Sequence, residues 1–193
     1  MERELVMSGV GGQGVQLASS VLAFAAVHEG LEVQLFGSYG GMMRGGSTEA
    51  TLVFGEASVE APPTLSQAWS VILMHLDYSE HARSCTRRGG LLFTNSTVID
   101  EEAVERSELQ LLAVPATDIA MALGNAMVAS MVMIGAYVAA TGIVEVGSLS
   151  GALAQSIPPY RRQHLELNEK AIAAGSAAVE RLSAPAWEKS KSS

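Results

Sequence analysis

Glu4-Leu5-Val6-Met7-Ser8-Gly9-Val10-Gly11-Gly12-Gln13-Gly14-Val15-Gln16-Leu17 is the stretch on which the fold turns. Glu4–Ser8 is short and apolar, as a buried strand is, Gly9–Gly14 is a glycine loop, and Val15–His28 carries apolar residues at helical spacing. Gly30 supplies a helix stop, and Leu31–Phe36 reads as a second strand. A strand, helix and strand closed within about 35 residues predict a right-handed crossover and a sheet that begins with parallel pairing.

Working outward, Gly37–Ser47 is a second glycine-rich loop, leading into an alternating strand over Thr48–Phe54. Glu60-Ala61-Pro62-Pro63 marks a loop. Trp69–Met74 and Leu91–Asn95 read as buried strands joined by a short helix over Tyr78–Thr86 and a turn at Arg87-Arg88-Gly89-Gly90. Leu109–Val114 is a further strand ending at Pro115, followed by helices over Thr117–Leu123, Ala126–Thr141, Ser148–Ser156 and Arg161–Leu182. The expectation is an α/β, Rossmann-like three-layer domain over residues 1–183, with a mainly parallel sheet, a helical C-terminal part and a flexible tail over 184–193.

The chain has 193 residues, 48% of them hydrophobic and 17% charged, with 12 basic against 20 acidic side chains and a formal charge of −8. So much apolar material excludes disorder. The acidic balance argues against nucleic acid or an anionic membrane as partner, since neither gains counterion release on such a surface. Charged content below the roughly 25% of ordinary soluble domains predicts a subunit with buried interfaces, and self-association when isolated. Residues 119–144 carry no charge. Their glycines and polar residues, and the absence of flanking basic anchors, favour a buried helix over a membrane span. The N-terminal charges at Glu2, Arg3 and Glu4 do not suit a secretory signal, so a cytoplasmic location is expected.

Gly9-Val10-Gly11-Gly12-Gln13-Gly14 satisfies the GxGxxG pattern between a strand and a helix. Glycines there allow close approach of a ligand, and the free N–H groups of the following helix favour a phosphate or carboxylate. They equally serve a tight helix–sheet crossover. A dinucleotide site also wants a carboxylate at the end of the second strand, where this chain has Leu35-Phe36-Gly37-Ser38. The second loop concentrates five glycines and Arg44 in eleven residues. Arg44 suits bidentate binding of an anion, Tyr39 can stack or donate a hydrogen bond, and the loop alternatively packs on another chain or is a plain surface turn. The four histidines show no metal spacing, and Cys85 alone provides no thiolate set for a cluster or zinc.

Together, Gly9–Val15 and Ser38–Gly46 resemble the GxGGQGV and SYGxExRGG loops of the gamma subunits of 2-oxoacid:ferredoxin (acceptor) oxidoreductases, enzymes of the pyruvate, 2-oxoglutarate, 2-ketoisovalerate and indolepyruvate type. Gly124-Asn125 resembles the family's Gly-Asn pair opening an apolar helix, and Asn168, Lys170, Ala171 and Gly175 its closing helix. The resemblance covers residues 4 to 182. It implies a complex that oxidatively decarboxylates a 2-oxoacid, forms acyl-coenzyme A and passes electrons to ferredoxin or flavodoxin. It also implies that thiamine diphosphate, magnesium and iron–sulfur clusters lie on alpha and beta subunits, and on delta where a fourth subunit exists. This chain would not be catalytic alone. Gly11, Gly12, Gln13, Gly14, Ser38, Tyr39, Arg44, Gly45, Gly46 and Asn125 would contact coenzyme A or the catalytic partners. Met42 stands where the family has glutamate, and Ser130 where it often has asparagine. The alternative from the residues themselves is a stand-alone or regulatory nucleotide-binding Rossmann-like module.

Overall fold

Leu5, Val6 and Met7 are fully buried because β1 (Glu2–Val10) lies inside the sheet, covered on both faces and flanked by strands on both sides. The protein is described from a computed structural model covering residues 1–39, 45–60, 65–100, 102, 104 and 108–187. The remaining strands are β2 (Glu32–Tyr39), β3 (Ser47–Gly55), β4 (Ala68–Leu73), β5 (Thr86–Asn95) and β6 (Gln110–Val114). The helices are α1 (Val15–His28), α2 (Glu80–Ser84), α3 (Ala116–Ala122), α4 (Ala129–Thr141), α5 (Val146–Ser156) and α6 (Leu165–Ala177).

The strand order is β2-β3-β1-β4-β5-β6. β1, β4, β5 and β6 pair in parallel, so the mainly parallel α/β sheet holds. The expected adjacent pairing of the first two strands does not. β3 lies between them, antiparallel to both, so β1 and β2 run the same way without touching. Tyr39 and Ser47 are separated by seven residues, too few for a parallel crossover, in keeping with the antiparallel pairing of β2 and β3.

Alternate residues of the strands feed two cores. Leu5, Met7, Leu52, Phe54, Ile72 and Phe93 face α1, α3, α4, α5 and α6, whereas Val6, Val53, Val71, Leu73 and Leu92 face the short α2 and neighbouring loops. The third layer is therefore thin. Inside the thicker layer Tyr137 sits edge-on to Phe93, ring centroids 5.2 Å apart, with its hydroxyl 3.0 Å from Ser70 Oγ. Burial lifts the Tyr137 phenol far above its ordinary range, against the opposing pull of the Ser70 hydrogen bond. Helices α4 and α6 cross through two glycines. A Cβ at Gly135 would collide with the Ile172 carbonyl, and one at Gly175 with that of Val132.

Three boundaries differ from the expectation. Arg87–Gly90 is not a turn but the irregular beginning of β5, where Gly89 takes φ +71° and the pairing with β4 shifts register. The last helix begins as a 3-10 turn over Pro159–His164 and ends at Ala177, short of Leu182. The expected fraying does not begin at 184: Ala186 is fully buried, its N–H reaches Thr141 O at 2.8 Å, and Trp187 Nε1 donates to Ile143 O at 2.8 Å. Arg3 completes this seam, its Nε donating to Ala186 O at 2.6 Å and its guanidinium lying 4.8 Å from the Trp69 ring centre. Among the described residues no helix is long and apolar enough to cross a membrane. The uncharged stretch is divided instead into α3, a 3-10 turn and α4.

Candidate functional site

β1 ends at Val10, and the chain turns over the carboxyl end of the sheet through Gly12 at φ +106° and Gly14 at φ +78°. Gly14 is the N-cap of α1 and, lacking a side chain, leaves the first-turn N–H groups of the helix without a side-chain cap. Those groups and the positive end of the helix dipole face a cleft of about 840 Å³ lined by Gly11, Gly12 and residues 14–17. The Gly11 N–H donates to Gly46 O at 2.7 Å, so the two glycine loops are joined. A Cβ at Gly11 would approach both Gly45 N and Gly46 O to 3.3 Å, a tight contact that the second loop would have to give way to.

Gln13 fixes the loop from inside. Its Oε1 accepts from the Val10 N–H at 2.8 Å, and its Nε2 donates to Met74 O at 3.3 Å, tying the loop to the end of β4. Gly9 lies close beneath it: a Cβ there would come within 2.6 Å of Gln13 Oε1 and 3.0 Å of Met74 Cβ, and the brace would have to shift to admit it. Gln16, in the first turn of α1, donates to Glu49 O at 2.8 Å and Thr48 Oγ1 at 3.3 Å, holding the start of β3 against the helix.

The opposite wall comes from the C-terminal helices. Asn125 follows Gly124, which takes φ +97°, and caps the 3-10 turn Ala126–Val128 by accepting from the Met127 N–H at 3.0 Å. One turn on, Ser130 is 1% exposed and lines the cleft, yet its hydroxyl has no hydrogen-bond partner among the described residues. It lies 2.6 Å from the place a Gly14 Cβ would occupy, so α1 and α4 meet at a glycine–serine contact. From α6, the buried Asn168 donates through Nδ2 to His164 O at 2.6 Å, which leaves its Oδ1 uncommitted. Leu17, Met131 and Leu167 supply an apolar side. No carboxylate lines the cleft among the described residues, although the whole chain carries −8. N–H donors, hydroxyls and an apolar wall without acidic groups suit an anionic head joined to an apolar or planar body.

Of the residues singled out by sequence, Gly11, Gly12, Gly14, Gly46 and Asn125 line this cleft. Gln13 is turned into its own loop, Gly45 flanks Gly11 at φ +93°, and Ser38 and Tyr39 end β2, paired with Glu49 and Thr48. Arg44, with Met42, lies outside the described residues. Sequence reasoning missed Leu17, Met131, His164 and the Ile157-Pro158 pair. Asn168 was visible only as part of a pattern, with nothing to say that α6 returns to the glycine loops.

Among the described residues no donor set suits a resident iron–sulfur cluster or zinc. The sequence has one cysteine, and among the described residues no group of three or more His, Cys, Asp or Glu is placed to hold a metal. Cys85 is buried under the thin layer, and burial, followed by the charge of Glu49, pushes its thiol up to about 11.

Comparison with known proteins agrees with this architecture. Residues 4–178 match the family model described as pyruvate ferredoxin/flavodoxin oxidoreductase, and the chain belongs to that family. The 2-oxoglutarate synthase subunit KorC of Methanothermobacter thermautotrophicus is 34% identical over 164 residues, 82% of this chain and 87% of that one. The crystal structure of the keto/oxoacid ferredoxin oxidoreductase gamma subunit of Geobacter sulfurreducens superposes with a TM-score of 0.78 at 26% identity, covering 92% of this chain and 96% of the other. The pyruvate oxidoreductase subunit PORC of Thermotoga maritima gives a TM-score of 0.76 at 27% identity, covering 93% and 97%.

Proposed function

We propose that this chain is the gamma-type subunit of a 2-oxoacid:ferredoxin oxidoreductase complex and that its cleft receives the phosphate-bearing part of coenzyme A. The observation that carries the reading is the meeting of the start of α1, which has no side-chain cap, with Ser130, whose hydroxyl has no hydrogen-bond partner among the described residues, in a cleft that no carboxylate of those residues lines. The N–H groups of residues 14–17 would hold phosphate oxygens, Ser130 and Asn168 would orient polar groups of the ligand, and Leu17, Met131 and Leu167 would exclude water around its body. Arg44 adds a cation from the second loop. Thiamine diphosphate with magnesium and iron–sulfur clusters, carried by alpha and beta subunits and by delta where present, supply decarboxylation and electron transfer to ferredoxin or flavodoxin. This chain supplies binding and assembly. Its likeness to a 2-oxoglutarate synthase subunit makes 2-oxoglutarate the first acid to test, ahead of pyruvate, 2-ketoisovalerate and indolepyruvate.

The test is steady-state kinetics on the assembled complex with the parent chain and with Ser130→Ala, Asn168→Ala and Arg44→Ala. Loss of a hydrogen bond to a charged ligand costs ~1.5–3 kcal/mol, so KM for coenzyme A should rise about 10- to 100-fold while KM for the oxoacid is unchanged. The isolated chain should turn over no 2-oxoacid. Unchanged coenzyme A dependence in all three variants overturns the assignment of the cleft. Tight one-to-one binding of NAD, FAD or ATP by the isolated chain, without coenzyme A-dependent activity in any complex, favours the nucleotide-binding module instead.

A further inference from the structure

β2 is the outermost strand on its side of the sheet, with one edge paired to β3 and the other unpaired among the described residues. Its own sequence carries none of the usual protections of an edge. Glu32-Val33-Gln34-Leu35-Phe36-Gly37-Ser38-Tyr39 contains no proline or lysine, has Glu32 as its one charged residue, and runs without a bulge for eight residues against β3. Leu35 and Phe36 are 41% and 50% exposed, large values for apolar residues in a strand. Leu35 pairs with Leu52 and so shares the α1 side of the sheet. On α1, Gln16 meets Gly37, and Phe24 and Val27 follow it at helical spacing with 44% and 53% exposure. Strand and helix thus present one apolar flank.

We propose that this flank is a homodimer interface in which β2 pairs antiparallel with β2 of a second copy about a two-fold axis at Leu35, joining the two six-stranded sheets. Sequence register favours a second copy as the occupant. With Leu35 opposite Leu35 of the other copy, Val33 faces Gly37, Gln34 faces Phe36 and Glu32 faces Ser38, so no charge meets its like and each face of the joint keeps its own side chains. A two-fold axis closes this pairing and leaves no second edge of the same kind to recruit further copies. The strand spans ~26 Å, and sheet plus helix stand ~20 Å tall, giving roughly 500 Å² a side and about the 1,000 Å² total that separates specific interfaces from incidental ones.

The test uses the isolated full chain. Static light scattering across a concentration series should show a monomer–dimer equilibrium, and Leu35→Lys, which sets two ammonium groups face to face, should weaken it at least about tenfold with unchanged circular dichroism. Leu35→Cys should form a disulfide-linked dimer under mild oxidation. Gln34→Cys should not, because the two copies of position 34 stand ~8 Å apart in this register, beyond disulfide reach. A chain that stays monomeric, a dimer indifferent to Leu35→Lys, or equal cross-linking at 34 and 35 overturns the proposal. A monomeric chain whose Leu35→Lys variant loses its alpha or beta partner overturns it in favour of a partner subunit on the same edge. Coenzyme A kinetics of the complex read the cleft separately, so either reading can fail alone.

Discussion

Replacing Gly175 by alanine tests whether the α4–α6 crossing sets the shape of the cleft. A Cβ at Gly175 would sit 2.7 Å from the Val132 carbonyl carbon and 2.9 Å from its Cα, and closer still to its oxygen. Ordinary contact begins near 3.4 Å. The obstacle is backbone, so no side chain can rotate away and the helices must separate by roughly an ångström. Overpacking of this kind costs ~1–3 kcal/mol, here toward the upper end, while alanine returns about 1 kcal/mol of helix propensity. The net expectation is a loss of ~2 kcal/mol, or about 4–8 °C in Tm for a chain of this size. Gly135→Ala, against Ile172, should behave alike. Gly151→Ala in α5, where a Cβ meets nothing within 4 Å, should stabilise by ~0.5–1 kcal/mol. Because α4 carries Ser130 and Met131 and α6 carries Leu167 and Asn168, the separated helices should also weaken the coenzyme A binding proposed for the cleft. Urea titrations of the three variants give the comparison. Gly175→Ala equal to or more stable than the parent would refute the close crossing.

Gln13→Ala removes both hydrogen bonds of the loop brace and should cost ~1–3 kcal/mol, read by urea titration. Trp187→Ala should cost ~2–3 kcal/mol by unseating the C-terminal seam, with hydrogen exchange rising first at the Leu182 and Ala186 amides that bond to α4. Cys85 should resist thiol reagents at neutral pH in the folded chain. Its pKa is higher folded than unfolded, so the stability it contributes is intact below pH ~9 and is lost as pH rises toward about 11, which Cys85→Ala should abolish in a pH series of melts.

The first loop was legible because glycine periodicity between an apolar strand and an amphipathic helix has few structural solutions. Pairing order was not, since strand alternation says which face is buried and nothing about the neighbour. The clue was the short link between Tyr39 and Ser47. Gly89 read as a turn residue, but in context it supplies a bulge within β5. Pro185-Ala186-Trp187 is a small apolar island in a polar tail, a signal outweighed by composition. The wall of the cleft was the least visible part. His164, Leu167 and Asn168 approach the glycine loops only because Gly135 and Gly175 let two helices touch, and a contact between distant glycines has no local pattern.

The placement of β1 has a consequence for the order in which a ribosome delivers the chain. β1 is an interior strand, and its neighbours, residues 47–55 on one side and 68–73 on the other, are both made after it. A nascent chain that has not yet reached Leu73 cannot flank it on both sides, so no earlier intermediate holds a fully protected central strand. The cleft matures later still: its floor is written in residues 11–17 and 46–48, its far wall in 125–168. Translation must pass both halves before the cleft exists, and truncated products carry the glycine signature without the cleft's far wall.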